Sequence, residues 1–123
     1  MKKVGIILVS HVPEIANGIP KLLVQVAPDV SLSSAGGTDD NDIGTSMEKI
    51  LSAIEKNEAE EVLAFYDIGS SKMNLELAIE MTDKQVHLYD TAFIEGAYTA
   101  ATLIQAGVPL DEIEKQLAPL KIK

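Results

Sequence analysis

Val4-Gly5-Ile6-Ile7-Leu8-Val9 is an unbroken apolar run that ends on Ser10-His11, and it constrains the fold more than any other stretch of the chain. A strand with one wet face alternates polar and apolar residues. A run without alternation, rich in β-branched side chains, belongs to a strand covered on both faces. Such strands occur in parallel sheets sandwiched between helices, and their carboxyl ends open onto the edge where ligands bind. His11 therefore stands at that edge. Imidazole is a nucleophile and a proton carrier whose charge changes near neutral pH. A histidine that merely ends a strand would read the same, so the other strand ends decide between the two.

Apolar runs and amphipathic stretches keep alternating along the chain. Ile15, Ile19, Leu22, Leu23 and Val26 mark one helical face, with Gly18 and Pro20 inside it. An interior proline removes a helix hydrogen bond at a cost of roughly 3 kcal/mol, so a kink or a late helix start is expected. Residues 30–35 read as a second, polar strand. Thr45-Ser46-Met47-Glu48 has the form of a capping box, with Thr45 as cap, before a helix that buries Met47, Ile50, Leu51 and Ile54. Glu61 to Tyr66 is a third strand, and Asp67-Ile68-Gly69-Ser70-Ser71 turns into a helix. That helix has Met73, Leu77 and Met81 as its inward stripe, widened by Leu75 and Ala78.

Gln85 to Tyr89 is a short fourth strand with His87 in its middle, read as a structural or surface histidine. Residues 93–106 form a helix whose Ala97, Ala100 and Ala101 permit close packing, ended by Gly107 in the left-handed conformation. Pro109-Leu110-Asp111-Glu112 opens a last helix with Ile113 and Leu117 inward. Pro119 closes it, and residues 120–123 extend as an edge strand or tail. The expected fold is a three-layer α/β/α sandwich, one domain over residues 1–123. Its mainly parallel sheet has four strands, with residues 120–123 either adding an extra edge strand or lying as a tail.

Composition narrows the function classes. The formal charge is -9, from 19 acidic and 10 basic residues. Nucleic acids and anionic membranes both demand a basic surface, so neither is an expected partner. The absence of cysteine removes disulfides and thiolate chemistry. Lys2-Lys3 precedes an apolar run too short for a signal peptide, and no stretch approaches the ~20 residues that span a bilayer. The expected address is the cytoplasm.

Four segments meet at the ligand edge: Ser10-His11, Gly36-Gly37-Thr38, Asp67 to Ser71, and Asp90-Thr91. Asp67 follows the third strand as His11 follows the first. A carboxylate on one ring N–H fixes the tautomer, turns the other lone pair outward and stabilises a cationic ring. Asp67 could instead cap the following helix, although Ser70 or Ser71 is the better cap. Gly36, Gly37 and Thr38, with Gly69, Ser70 and Ser71, suit an oxyanion through backbone amides and hydroxyls. Either loop alone is ordinary turn chemistry. Together with His11 and Asp67 they point to a phosphoryl group held on the histidine.

Other sites fail. There is no Walker A lysine motif, no G-x-G-x-x-G after the first strand and no G-x-S-x-G elbow. Asp39-Asp40-Asn41-Asp42 lacks the ligand pattern of a calcium loop and reads as a solvated turn, so no metal site is expected.

In order and spacing, Ser10-His11, Ala35-Gly36-Gly37-Thr38-Asp39, Ile43-Gly44-Thr45, Asp67-Ile68-Gly69-Ser70-Ser71 and Glu95-Gly96-Ala97 resemble the phosphotransfer subunit of bacterial PTS-dependent dihydroxyacetone kinase. That family is related to the mannose-family IIA domains of the sugar phosphotransferase system, where an Asp-Leu-Trp-Gly-Gly-like turn would stand in place of Asp67 to Ser71. The resemblance implies that His11 accepts a phosphoryl group from the phosphocarrier HPr, charged through enzyme I from phosphoenolpyruvate. It then passes the group to ADP on the kinase's nucleotide-binding subunit. It also implies a homodimer, built on the small-residue helix or the tail, and no tightly bound cofactor beyond the transient phosphoryl group on His11. Two alternatives stand beside it: a mannose-family sugar IIA domain, and a regulatory module that binds a phosphorylated ligand without covalent turnover.

Overall fold

The computed structural model describes residues 3–123, so Lys2 of the basic start lies outside the described residues. Strands β1 (Val4–Ser10), β2 (Leu32–Gly36), β3 (Glu61–Tyr66) and β4 (Gln85–Tyr89) alternate with five helices. These are α1 (Pro13–Leu23), α2 (Met47–Lys56), α3 (Ser70–Met81), α4 (Phe93–Gln105) and α5 (Leu110–Leu117). The strands form one sheet in the order β2-β1-β3-β4, every neighbouring pair parallel. Val9 lies opposite Ala35 on one side and Tyr66 on the other, so three strands end level. The residues that follow, His11, Gly37 and Asp67, leave the sheet at one edge.

The unbroken run in β1 follows from its central place. Ile6 and Leu8, with Leu63 and Phe65 of β3, pack against Ile19, Leu23, Ala97, Ala101, Ile113 and Leu117 from α1, α4 and α5. Ile7 and Val9, with Val62, Ala64 and Tyr66, pack against Ile50, Ile54, Leu75 and Ala78 from α2 and α3. Each fully buried side chain of this kind contributes roughly 1.5–3 kcal/mol. The four-stranded parallel α/β sandwich expected from the sequence is the observed architecture.

The differences are local. Among the described residues no fifth strand forms: after α5 the chain makes a short 3₁₀ turn, Ala118–Leu120, and an antiparallel bridge from Lys121 to Thr91. Helix α1 starts early, with Pro13 in its first turn, and runs through Pro20. It buries Ala16, Ile19 and Leu23, while Ile15 and Leu22 are exposed. The cap of α2 is Ser46, not Thr45, and its hydroxyl accepts the Lys49 amide. Ser46 also donates to Asp39, and Asn41 accepts from Lys49 Nζ, which ties the acidic 39–42 turn to α2. In α3 the buried residues are Ser71, Leu75 and Ala78, and the expected stripe of Met73, Leu77 and Met81 faces outward. Gly107 has the left-handed φ of 81°. His87 pairs with Glu61 at 2.7 Å.

At the opposite edge of the sheet, buried Asn57 joins β1 to β2. Its Nδ2 donates to Ile6 O, Ser31 O and Ser33 Oγ, and its Oδ1 accepts the Ala59 amide. Asn57→Ala orphans those buried groups, at ~1 kcal/mol or more for each hydrogen bond. A loss of about 2–3 kcal/mol in urea unfolding and a Tm lower by ~10 °C are the expected result.

Candidate phosphoryl-transfer site

The level strand ends bring His11 and Asp67 into direct contact. His11 Nδ1–H donates to Asp67 Oδ1 at 2.9 Å, and the backbone N–H of His11 donates to Oδ2 of the same carboxylate at 2.9 Å. Ser10 Oγ adds a donor to Oδ2 at 2.8 Å, and the Ile68 amide one to Oδ1 at 2.7 Å. With Nδ1 committed as donor, Nε2 carries the free lone pair. Ser70 Oγ lies 2.5 Å from it, on the solvent side of the ring. The imidazole is mostly shielded, with 14% of its side chain exposed.

Burial raises the pKa of the Asp67 carboxyl, but the hydrogen bonds from His11, Ile68 and Ser10 outweigh it and hold the group below its ordinary value. It is therefore ionised at neutral pH and suited to balance a cationic ring. Ser10 is fully buried, and its oxygen also accepts the Val12 amide, so it fixes the carboxylate and the turn into α1 together. The sequence reading quoted Ser10 in the motif without giving it a role.

The two expected anion loops are not equivalent. Gly37, at φ 79°, spends its amide on Ser10 O, and the Thr38 amide is spent on Asp42 O. Thr38 Oγ1 accepts the Asp42 amide. Gly37 and Thr38 thus brace the 37–44 loop, whose Gly44 amide bonds His11 O, and are not open donors. Gly36 has its carbonyl taken by Lys49 Nζ. On the other side, Ser71 is buried, with its hydroxyl on Ile68 O and 3.5 Å from Asp67 Oδ1. It braces the turn from below. The helix cap is Gly69 and no side chain caps α3, so neither serine does so. Ser70 Oγ is the hydroxyl beside His11 Nε2, and among the described residues no protein acceptor takes the Gly69 or Ser70 amide of the same turn.

Asp90 does not reach the histidine. It accepts Tyr66 OH at 2.5 Å and pairs with Lys72 at 3.0 Å, tying the ends of β3, β4 and α3 together. Burial raises its pKa, but the bonds from Tyr66 and Lys72 win and hold it below its ordinary value. Gly96 lets α4 approach this corner, because a Cβ there would meet Thr91 Oγ1 at 2.0 Å. Lys123 Nζ, which the sequence did not single out, donates to Tyr66 O at 2.7 Å and Asp67 O at 2.8 Å. Ile43, Ile68 and Met73 stand exposed on the segments around His11, at 79%, 59% and 71%. Among the described residues no group of three or more His, Asp or Glu is placed to hold a metal ion. No helix there is long and apolar enough to cross a membrane.

Comparison with known proteins places the chain among its relatives. The phosphotransferase subunit DhaM of PTS-dependent dihydroxyacetone kinase from Lactococcus lactis is 47% identical over 97% of both chains. The phosphoryl donor subunit DhaM of PEP-dependent dihydroxyacetone kinase 1 from Listeria innocua is 41% identical, over 99% of this chain and 98% of that one. The crystal structure of a protein of unknown function, EF1359, superposes with a TM-score of 0.84 at 30% identity, covering 98% of this chain and 97% of that one. Residues 5–114 match the family described as PTS system fructose IIA component. The chain belongs to that family, within its branch of dihydroxyacetone-kinase phosphotransferase subunits.

Proposed function

We propose that the protein is a phosphohistidine carrier that takes a phosphoryl group on His11 Nε2 from HPr and gives it to ADP held on the nucleotide-binding subunit of a dihydroxyacetone kinase. One observation carries this reading: Asp67 holds Nδ1–H while the Nε2 lone pair points outward, towards Ser70. In the loading step Nε2 attacks phosphorus in line, and the donor's P–N bond breaks with its electron pair returning to the donor ring. His11 keeps its Nδ1 proton, the ring becomes cationic and Asp67 balances it. Ser70 Oγ swings from Nε2 to a phosphoryl oxygen, and the Gly69 and Ser70 amides meet the others. In the second step a terminal oxygen of ADP attacks the same phosphorus, and the P–N electron pair returns to Nε2.

Both partners in this reading are proteins that use one histidine in turn, in the cytoplasm. The exposed Ile43, Ile68 and Met73 suit that use, since large apolar side chains around a polar centre favour transient docking. The homodimer that the resemblance implies has two surfaces open to it: Ala97, Ala100 and Ala101 are fully buried within the protomer, which leaves Ile94 and Tyr98 as the exposed apolar side chains of α4, and Ile122 is exposed on the tail.

The test is intact-mass analysis after incubation with phosphoenolpyruvate, enzyme I and HPr, followed by addition of the nucleotide-binding subunit with ADP. The expected result is one phosphoryl group per chain, stable to alkali and labile to acid, which disappears as ATP forms. A protein that binds phosphorylated ligands yet never gains the mass is a regulatory module instead. Discharge to a sugar-transporter subunit but not to ADP would assign it to the sugar IIA class.

A further inference from the structure

The Asp67 carboxylate is aimed by its backbone turn, and a side chain from the far end of the chain grips that turn. Lys123 Nζ donates to the last carbonyl of β3, Tyr66 O, and to Asp67 O, and lies 4.3 Å from the Tyr66 ring centroid. Two carbonyls and an aromatic face fix a lysine far better than one surface contact does. The tail is held to put it there. The Ile122 and Lys123 amides both donate to Asp90 O, the Ala92 amide donates to Leu120 O, and Lys121 bridges Thr91.

The ammonium has a second property. Lys72 is neutralised by Asp90, and Lys115 by Glu112, but among the described residues no carboxylate oxygen lies within salt-bridge distance of Lys123. Its charge rests on neutral carbonyls, directly behind the residue that faces His11. A phosphoryl group would add charge of about -1.5 to -2 to a centre that already holds the Asp67 carboxylate. A fixed cation at the root of the Asp67 turn offsets that increase without blocking the open side of His11. Burial lowers the pKa of Lys123 and the carboxylates of Asp67 and Asp90 raise it, leaving a net lowering that accords with a partly enclosed ammonium.

We propose that Lys123 is a positioning residue of the phosphoryl-carrying centre, pinning the end of β3 so that Asp67 addresses His11 Nδ1 and supplying the cation behind the phosphorylated site. It gives and takes no proton. The phosphorus moves only between the donor nitrogen, His11 Nε2 and the acceptor oxygen. This role rests on the reading of His11 as the carrier.

The test compares the wild-type chain with K123M, K123R and I122S in two measurements. Rapid-quench labelling from phospho-HPr reads the loading rate, and ¹⁵N NMR of the unphosphorylated protein reads whether the His11 proton stays on Nδ1. K123M keeps the apolar stem and loses the charge. It is expected to fold, reach the same final labelling, load about tenfold more slowly and show a more mixed tautomer. K123R retains a cation within reach of the carbonyls and restores most of the rate and the wild-type tautomer. I122S changes an exposed neighbour in the same tail and leaves both unchanged. Wild-type rate and tautomer in K123M, or a loss of rate in I122S equal to that in K123M, overturns the role of Lys123. If the wild-type chain takes no phosphoryl group, the carrier reading fails, and the NMR arm still decides whether Lys123 positions Asp67.

Discussion

His11→Ala is expected to take up no phosphoryl group from phosphoenolpyruvate, enzyme I and HPr, under conditions in which the wild-type chain gains one. The variant should also remain folded, and the geometry gives the reason. Truncation removes the ring, but the His11 amide still donates to Asp67 Oδ2, and Ser10 and the Ile68 amide still satisfy the carboxylate. No buried charge is orphaned, so the change in stability stays near ~1 kcal/mol, far below the cost of breaking a buried ion pair. The chain has only two histidines, and the other, His87, is tied to Glu61 in the middle of β4. Full labelling of His11→Ala would therefore move the acceptor to His87 and end the assignment. Intact mass and a thermal melt on the same sample check both halves of the expectation.

The parts of the fold that were legible in the sequence are those governed by local pattern. β1, β3 and β4 carry the periodicity and composition of buried or edge strands, and their carboxyl ends needed only the right-handed crossover to share an edge. His11 and Asp67 were legible for that reason. Helix α3 shows where pattern stops. It carries two apolar stripes, Met73-Leu77-Met81 and Leu75-Ala78, and periodicity alone cannot choose which faces inward. The choice is made by Ser71, whose hydroxyl seats beneath Asp67 and on Ile68 O. Residues four and seven further on, Leu75 and Ala78, then point into the sheet, and the methionines are left outside. One of the two expected anion loops departs in a related way. Gly36-Gly37-Thr38 has the composition of a phosphate cradle, but the Gly37 amide is spent on Ser10 O of β1 and the Thr38 amide on Asp42 O of its own loop, and such partners leave no periodic trace. Lys123 is the extreme case, since its partners Tyr66 and Asp67 are brought to it solely by the path of α5 and the tail.

Asp67→Asn carries the second large effect, and it separates chemistry from packing. Four donors converge on the carboxylate: His11 N–H and Ser10 Oγ–H at Oδ2, His11 Nδ1–H and Ile68 N–H at Oδ1. An amide is nearly the same size but must turn an NH₂ towards one of these pairs, and each pair includes a backbone N–H that cannot reverse. One face is then donor against donor. The His11 proton can move to Nε2, which extinguishes the nucleophile, and a cationic ring loses its counter-charge. Loading is expected to slow by about four orders of magnitude, the scale of the corresponding change in histidine–aspartate pairs of hydrolases. The same variant alters acid stability in a defined direction. The folded-state pKa of Asp67 lies below its unfolded value, so its contribution is complete above the unfolded value of about 3.9 and is lost as pH falls through the lower, folded one. The stability advantage of the wild-type chain over Asp67→Asn should accordingly shrink as pH falls below the ordinary aspartate range. Urea unfolding across that range reads this difference. An advantage that grew as pH fell through the ordinary aspartate range would mean that Asp67 takes up its proton more readily in the native state than in the unfolded one, and cannot be the anion that orients His11.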